Sequence, residues 1–402
     1  MKIEIFPANI GDSFLISYGK DYEKHLLIDG GYKETYDNFL KKRLKEISEL
    51  KQELELVIVT HIDQDHIGGI LKLIEENGHS LEKKIIGINE IWHNSYRHLD
   101  EKNTEEIIKG SPEEAIIDDI ISTGMALFTT KEGNISGYHG SMLASYIYEN
   151  EYNWNTKFDS KAISINNSTE VIIDNDLKII LLSPSNENLE NLKIEWEKHL
   201  KRRKMDFKLG KGKKVDDAFE FLLMRKEPEI EDGYFCSYKK SKKWDKIEFP
   251  MEDSSKTNAS SIAVILETKN DKALFLGDSK PSTIVESLKK LKKEKNYSFN
   301  FDIIKISHHG SLKSTSRELI ELIDGKNWIF TGNGNNNKPS EDLVRYILEK
   351  KKNKFKKFIF NYKIGWLDLV KKIEKEYECK IIDNTTEKSM ILSVRGDSDD
   401  FR

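Results

Sequence analysis

The segment from Thr60 to Gly69, THIDQDHIGG, contains two histidines and two aspartates with the spacing of metal ligands. His61, Asp63, Asp65 and His66 lie within six residues, where an apolar run ends and a helical pattern begins. Alternation at a strand end places His61 and Asp63 on one side, and the turn into the helix brings the other two toward the same space. A plain helix start needs only one capping acid. It does not account for two flanking histidines.

Three other apolar runs also end in side chains that could bind metal or catalyse. HLLIDGG ends in Asp29, ALFLGDS in Asp278, and DIIKISHHGS in His308 and His309. Carboxylates and imidazoles that meet at one edge of a sheet are the components of a two-metal site. Asp29 keeps a second interpretation, since Asp-Gly after a strand is also a common turn signal.

The elements that would position these residues alternate between strands and helices. Residues 1–58 predict three strands, a helix and a fourth strand, and residues 260–402 predict alternating strands and helices. This alternation is typical of a layered α/β domain. Two polar, mainly helical stretches interrupt it at about 97–165 and 186–256, and we interpret them as insertions in a single domain covering 1–402.

The amino-acid composition argues against a membrane-spanning protein and against a disulfide-rich one. Hydrophobic residues make up 37% of the 402 residues and charged residues 33%, and no apolar run approaches the ~20 residues that cross a bilayer. Cys236 and Cys379 are too few for a disulfide framework or a thiolate zinc site. With no secretory signal pattern at the N-terminus, we expect a cytoplasmic protein without a membrane partner.

The formal charge of −4 neither favours nor opposes a polyanionic partner, so any nucleic-acid surface must be local. Nine of the seventeen residues from Lys198 to Lys214 are Lys or Arg. Such a stretch is either a solvated face or a patch that contacts phosphate. On the second interpretation, Arg202, Arg203 and Lys204 bind substrate.

These motifs, in this order, resemble the metallo-β-lactamase-fold hydrolases, and among them the ComEC-type branch, the soluble hydrolase domain of the bacterial competence channel. The similarity covers about residues 3–70 and 255–335 and does not include the insertions. It is carried by Gly11-Asp12-Ser13-Phe14-Leu15-Ile16, Ile28-Asp29-Gly30-Gly31, residues 61–69, Asn258 with Ser260-Ser261, Gly277-Asp278, and His308-His309-Gly310-Ser311.

The resemblance implies an αββα sandwich with two divalent metal ions in a shallow cleft at its edge. His61 and Asp63 would hold the first ion, Asp65 and His66 the second, and Asp278 would bridge both. His309 would supply the last ligand, although its role and that of His308 could be exchanged.

The chain departs from the commonest family pattern in two ways. Asp63 replaces a histidine, as it does in the ComEC-type branch, and a carboxylate shifts preference toward Mn²⁺ or Mg²⁺ without excluding Zn²⁺. The family's middle histidine has no clear counterpart. His139 is one candidate, while Asn258 and Ser261 take its neighbourhood in the ComEC-type pattern, so one ion could be held loosely.

A two-metal hydrolase of this kind needs no serine or cysteine nucleophile. Asp65 could orient water or take its proton, and Asp29 could hold a ligand imidazole in place. His308, Ser311 and Asn258 are candidates for contacting substrate. The Asn-rich segment 331–340, with Ser340 capping the following helix, is either a substrate-side loop or an ordinary connection.

The first hypothesis for function is a phosphodiesterase or nuclease acting on nucleic acid or a nucleotide. The second is a hydrolase of another small ester or lactone. The third is a partner-binding component of a bacterial multi-protein system, such as a defence system, with weak intrinsic activity and the insertions as docking surfaces.

Overall fold

A computed structural model of the chain describes residues 1–100, 105–130, 141–203, 210–224, 247–351, 355–372, 374, 376–386, 388–394 and 400–401. Within these residues the strands form two sheets, one of seven strands and one of eight.

The first sheet combines the N-terminal strands with two from the C-terminus. Its strands are β1 (Lys2–Ile5), β2 (Ser13–Tyr18), β3 (Lys24–Gly30), β4 (Leu54–Ile58), β5 (Ile91–Trp92), β14 (Met390–Ser393) and β15 (Asp400–Phe401). Their order is β15-β14-β1-β2-β3-β4-β5, and β3, β4 and β5 run parallel.

The second sheet contains β6 (Glu170–Ile172), β7 (Lys178–Ser183), β8 (Ala263–Glu267), β9 (Lys272–Phe275), β10 (Asn300–Lys305), β11 (Asp324–Phe330), β12 (Lys356–Phe360) and β13 (Cys379–Asp383). Their order is β13-β12-β11-β10-β9-β8-β7-β6. Strands β9 to β13 are parallel, so their carboxyl ends meet at one edge, where α/β sheets usually carry their sites.

Helices cover the outer faces of both sheets. They are α1 (Lys33–Thr35), α2 (Lys41–Glu49), α3 (Gln64–Asn77), α4 (Tyr96–Leu99), α5 (Pro112–Thr130), α6 (Leu143–Glu149), α7 (Asn186–Arg202), α8 (Lys213–Leu223), α9 (Lys256–Ala259), α10 (Pro281–Lys295), α11 (Arg317–Leu322), α12 (Glu341–Lys350) and α13 (Leu367–Lys371).

The hydrophobic core has three layers, because each sheet buries both of its faces. Between the sheets, Ile5 and Phe14 of the first pack with Val264 and Phe275 of the second, and the two phenylalanine rings meet edge to face at 5.3 Å. Two more apolar clusters fill the space between each sheet and its helices. The layers are therefore helix, sheet, sheet, helix, and the predicted α/β sandwich is confirmed.

The stretches interpreted as insertions contain α5, α6, α7 and α8, together with irregular segments. Helix α8 packs against α5 and α6, and α6 packs against α3. Buried polar pairs join them to the end of β5: His93 Nε2 lies 2.7 Å from Glu220 Oε1, and Arg97 Nη2 lies 2.6 Å from Asp216 Oδ2. The two stretches therefore share one hydrophobic cluster with the outer face of the first sheet.

None of the helices in the described part of the chain is both long enough and apolar enough to cross a bilayer. Cys379 is buried with a free thiol. Cys236 lies outside the described residues.

Candidate metal centre

The candidate site lies where the ends of β3, β4, β9 and β10 meet. Backbone hydrogen bonds fix this edge: Ile262 N donates to Thr60 O at 2.9 Å, and His308 N donates to Gly277 O at 2.9 Å. A third bond, from Asp12 N to Asp65 O at 3.1 Å, ties the start of β2 to the first turn of α3. The segments that carry the candidate ligands are therefore held together by main-chain contacts.

Two glycines permit backbone packing that a side chain would prevent. A Cβ atom on Gly69 would lie 2.1 Å from the carbonyl oxygen of Gly30, and one on Gly11 would lie 2.0 Å from that of Asp65. Both distances are far below van der Waals contact. Gly69 thus lets α3 start against the end of β3, and Gly11 lets the adjacent Asp12 enter the site.

Four imidazoles converge on Asp278. Its Oδ2 atom lies 3.9 Å from His61 Nε2, 3.6 Å from His66 Nε2, 3.5 Å from His308 Nε2 and 3.6 Å from His309 Nε2. All five side chains are almost fully buried. The sequence predicted this convergence of residues separated by more than 200 positions, and the structure brings them together.

The Nδ1 atoms of these imidazoles point away from Asp278, toward groups that fix each ring. His66 Nδ1 donates to Asp29 Oδ2 at 2.8 Å, and His61 Nδ1 lies 3.0 Å from the hydroxyl of Thr60 and 3.1 Å from that of Ser261. Thr60 donates its own hydroxyl proton to Asp29 at 2.7 Å. Its oxygen is then left to accept from His61.

The other two histidines repeat the pattern. His309 Nδ1 lies 3.2 Å from Asp12 Oδ1 and 3.0 Å from the Thr331 hydroxyl. His308 Nδ1 lies 2.9 Å from Ser314 Oγ and 3.3 Å from Asp253 Oδ2. A proton held on each Nδ1 leaves the Nε2 lone pair directed inward, which is the tautomer a metal ligand needs.

The inward atoms fit a divalent cation. His61 Nε2, His66 Nε2, His309 Nε2 and both carboxylate oxygens of Asp278 are buried without a hydrogen-bond partner. Buried polar atoms are nearly always paired, so a cluster of unpaired acceptors facing one point calls for a cation. Histidine nitrogen and aspartate oxygen are ligands that zinc and manganese both accept.

The two remaining predicted ligands lie beside different histidines. Asp63 Oδ2 lies 3.5 Å from His61 Nε2, and Asp65 Oδ2 lies 3.6 Å from His309 Nε2 and 4.0 Å from His66 Nε2. The carboxylates and imidazoles therefore form two groups that share Asp278. Asp63 stands at the N-cap position of α3, yet its side chain makes no capping bond. A plain helix start thus does not explain this residue.

Electrostatics at the centre keeps Asp278 ionised. Burial raises the pKa of Asp278, but the imidazoles of His308, His309 and His66 outweigh burial and hold it well below its usual range. Burial likewise lowers the pKa of His66, whereas the charges of Asp278 and Asp29 raise it well above 6.5. The carboxylates of Asp278 and Asp29 therefore favour a positive charge at or beside the His66 ring.

Asp12 is a site residue to which the sequence analysis assigned no role. Ligand atoms of Asp12, His66, Asp278 and His309 all lie within 4.8 Å of one another. However, Asp12 faces the Nδ1 side of His309, and its second oxygen forms a buried ion pair with Lys305. We therefore assign Asp12 to orienting His309, as Asp29 orients His66. The only signal in the sequence was its place in the Gly11-Asp12-Ser13 motif.

The backbone is strained at Asp29 and in the segment 308–310, which we call the HHG turn. His308 and His309 have φ angles of 50° and 58°, and Asp29 has 55°. Left-handed conformations cost about 1–3 kcal/mol for residues other than glycine, and they concentrate at functional sites. The successive positive φ values turn both rings of the pair toward Asp278.

The residues predicted to contact substrate lie in two different parts of the structure. Asn258 Nδ2 donates to Asp253 Oδ2 at 2.5 Å, one contact behind His308, and Ser311 is buried in the next turn. Arg202 is exposed at the end of α7, and Arg203 pairs with Asp119 at 2.5 Å.

Two other candidates, Lys204 and His139, lie outside the described residues. Ser340 occupies the N-cap position of α12, but its side chain makes no capping hydrogen bond.

Comparison with protein-family models gives a match to part of the chain. Residues 7–133 match the model of the metallo-beta-lactamase superfamily. The match includes Asp12, Asp29 and residues 61–66 and ends before Asp278 and the HHG turn. Proteins of this superfamily are generally metal-dependent hydrolases, in agreement with the cluster of buried ligands. No curated protein matches the chain.

Replacing Asp29 with asparagine should weaken metal binding without removing a ligand. Besides His66 Nδ1, the Asp29 carboxylate accepts the Thr60 amide at 2.8 Å, so an amide would lose one acceptor and leave His66 poorly oriented. Loss of such an orienting carboxylate costs roughly 10–100-fold in metal affinity. Titration with Mn²⁺ measures this change. Asp21→Asn, at an exposed aspartate, is the control, and equal affinities for the two variants would refute the assignment.

Proposed function

We propose that the protein is a metal-dependent phosphodiesterase or nuclease that activates water with two divalent ions, Zn²⁺ or Mn²⁺, with Mg²⁺ as a further candidate. The observation that carries the proposal is the convergence of four imidazole Nε2 atoms on Asp278, most of them buried without a partner. His61 and Asp63 would hold one ion, Asp65, His66 and His309 the other, and Asp278 would bridge them.

The charge of the site supports two ions rather than one. Six carboxylates surround the imidazoles, whereas two ammonium groups, Lys305 and Lys338, contact the same set. With neutral imidazoles, four negative charges remain, and two divalent cations would balance them. The six carboxylates belong to Asp12, Asp29, Asp63, Asp65, Asp253 and Asp278.

Divalent ions at such a site lower the pKa of water and neutralise charge on phosphoryl oxygens. The protein's own side chains would hold the metal ligands in place and accept one proton from water. Asp65 lies between the imidazoles of His66 and His309, where its carboxylate can orient the attacking water and accept its proton. Asp29 and Asp12 keep the ligand rings in place, so little reorganisation is needed during reaction.

A phosphate substrate is favoured over another ester by the donor set and by the ComEC-type resemblance. Carboxylate oxygens are hard ligands that suit the ions used in phosphoryl transfer. The basic stretch around Arg202 would extend the contact if the substrate is a polynucleotide. We therefore propose nucleic acid or a nucleotide as the substrate.

Purified protein with Mn²⁺ should hydrolyse bis-p-nitrophenyl phosphate or single-stranded DNA, and His66→Ala should abolish both activities. His66 faces Asp278 and is fully buried, so no other side chain replaces it. His79→Ala is the matched control, because His79 is half-exposed and lies just beyond the C-terminal end of α3, away from the metal ligands at its start. Full activity in His66→Ala would show that hydrolysis takes place elsewhere.

A further inference from the structure

Ser261, two residues before β8, places one buried hydroxyl between two of the candidate metal ligands. Its side chain is fully buried. Its Oγ atom accepts a hydrogen bond from the main-chain N–H of Asp278 at 3.1 Å and lies 3.1 Å from His61 Nδ1. The hydroxyl therefore joins the residue on which the four imidazoles converge to one of those imidazoles.

The main chain at Ser261 is held by contacts with three other segments. Its N–H donates to Asn258 O at 3.0 Å, and the N–H of the next residue donates to Thr60 O at 2.9 Å. On the third segment, a Cβ atom on Gly277 would lie only 3.2 Å from Ser261 Cβ and 3.3 Å from its Oγ. Gly277 also has a φ of 49°. Glycine therefore lets the turn that carries Asp278 pack directly against the hydroxyl.

The ring of His61 is oriented differently from the rings of the other proposed ligand histidines. Carboxylates contact the Nδ1 atoms of His66 and His309. His61 Nδ1 instead lies 3.0 Å from the hydroxyl of Thr60 and 3.1 Å from that of Ser261. A neutral hydroxyl is a weaker acceptor than a carboxylate. The orientation of the His61 ring therefore depends on both hydroxyls.

The proposed ion beside His61, here called the first ion, also has the smaller set of protein ligands. It would be held by His61, Asp63 and the shared carboxylate of Asp278, whereas the second ion would have three ligands of its own besides that carboxylate. Ser261 contacts two of the three residues that would bind the first ion. Contacts that orient a ligand without binding the metal are worth roughly 10–100-fold in metal affinity.

We propose that Ser261 is a positioning residue that controls binding of the first ion, and thereby decides whether the protein holds one ion or two when metal is scarce. Its hydroxyl holds the His61 ring and the main chain of Asp278 together, so both ligands stay turned toward the same ion before the metal binds. The inference rests on the proposed two-ion centre and assigns control of its weaker ion to a residue that is not itself a ligand.

The test is a calorimetric titration of metal-free protein with Mn²⁺, comparing Ser261→Ala with the wild type. Ser279→Ala is the matched control, because Ser279 is equally buried and loses the same hydroxyl, which donates to the Ser261 carbonyl oxygen at 3.4 Å. Asp63→Ala removes a proposed ligand of the first ion alone, so it identifies the binding step that belongs to that ion. Thermal melting in EDTA checks that each variant is folded.

In Ser261→Ala the step that depends on Asp63 should weaken roughly 10–100-fold, while the other step should change little. Ser261→Cys fills the same space with a weaker acceptor, so it should show a smaller loss at the same step. Ser279→Ala should titrate like the wild type. Equal weakening of both steps would overturn the proposal and make Ser261 a general support of this edge of the sheets.

Activity gives a second measurement. Because Ser261→Ala keeps every proposed ligand, raising the Mn²⁺ concentration should restore its kcat/KM for bis-p-nitrophenyl phosphate to nearly the wild-type value. A value that stays low at saturating Mn²⁺ would contradict a role through metal affinity.

The Mn²⁺ titration separates this inference from the proposed function. If the wild type binds two ions but does not hydrolyse the diester, the proposed activity is refuted, and the titration alone decides the role of Ser261. Wild-type protein that binds only one ion, or Ser261→Ala protein that binds both ions unchanged, refutes the inference even if the diester is hydrolysed.

Discussion

Asp278→Asn is expected to abolish hydrolysis and to remove bound metal while leaving the fold intact. Asparagine keeps the size of the side chain but removes the charge that four imidazoles face. Loss of metal-centred stabilisation is worth several kcal/mol, so kcat/KM for bis-p-nitrophenyl phosphate should fall roughly a thousandfold or more. Elemental analysis of the purified variant should show less metal than the wild type.

Thermal melting separates this effect from misfolding. The carboxylate oxygens of Asp278 have no hydrogen-bond partner, so an amide at this position breaks none. In EDTA the variant should still unfold in one cooperative transition, at a melting temperature lowered only by the loss of the charge beside His66, His308 and His309. With Mn²⁺ the melting temperature of the wild type alone should rise, because a ligand that binds the native state stabilises it. An equal rise in both proteins would place the metal away from Asp278.

Most of the fold could be predicted from the sequence, because its apolar residues recur with the periods of strands and helices. The runs that end at Asp29, Asp278 and His308 each correspond to a strand, and the helix predicted after Asp65 begins at Gln64. The placement of β14 and β15 was not predictable in the same way. They pair with β1 in the first sheet, and short antiparallel strands carry no local signal of their partner.

The candidate ligands were predictable because local spacing concentrates them. Four of them lie between His61 and His66, and the others end apolar strands. Asp12 and Asp253 were not assigned roles, because each gains its role from a histidine far away in the sequence. Asp12 contacts His309 across 297 positions.

Lys305 and Lys338 illustrate a second limit of sequence reasoning. Lys305 ends a buried strand, where a lysine looks like an ordinary edge residue, and Lys338 lies in a loop rich in turn formers. Both become informative only when burial is known, since a buried ammonium requires a partner. Their positions add two positive charges to a site whose sequence signature is acidic.

The buried ion pair of Lys305 and Asp12 should couple folding stability to the metal centre. The two side chains are 1% and 2% exposed, and Asp12 also contacts His309. Removing one partner of such a pair leaves a buried charge and costs about 3–5 kcal/mol. We expect losses of this size in the free energy of unfolding for both Lys305→Met and Asp12→Asn, measured by urea denaturation in EDTA.

The double variant should lose less than the sum of the two single losses, because neither charge is left alone in it. Lys326→Met is the matched control, since its pair with Asp302 is solvent-exposed on the lysine side and should contribute at most about 1 kcal/mol. Additive losses would mean that the pair is not coupled. Asp12→Asn alone should also weaken Mn²⁺ binding, because only Asp12 connects this ion pair to a candidate ligand ring, that of His309.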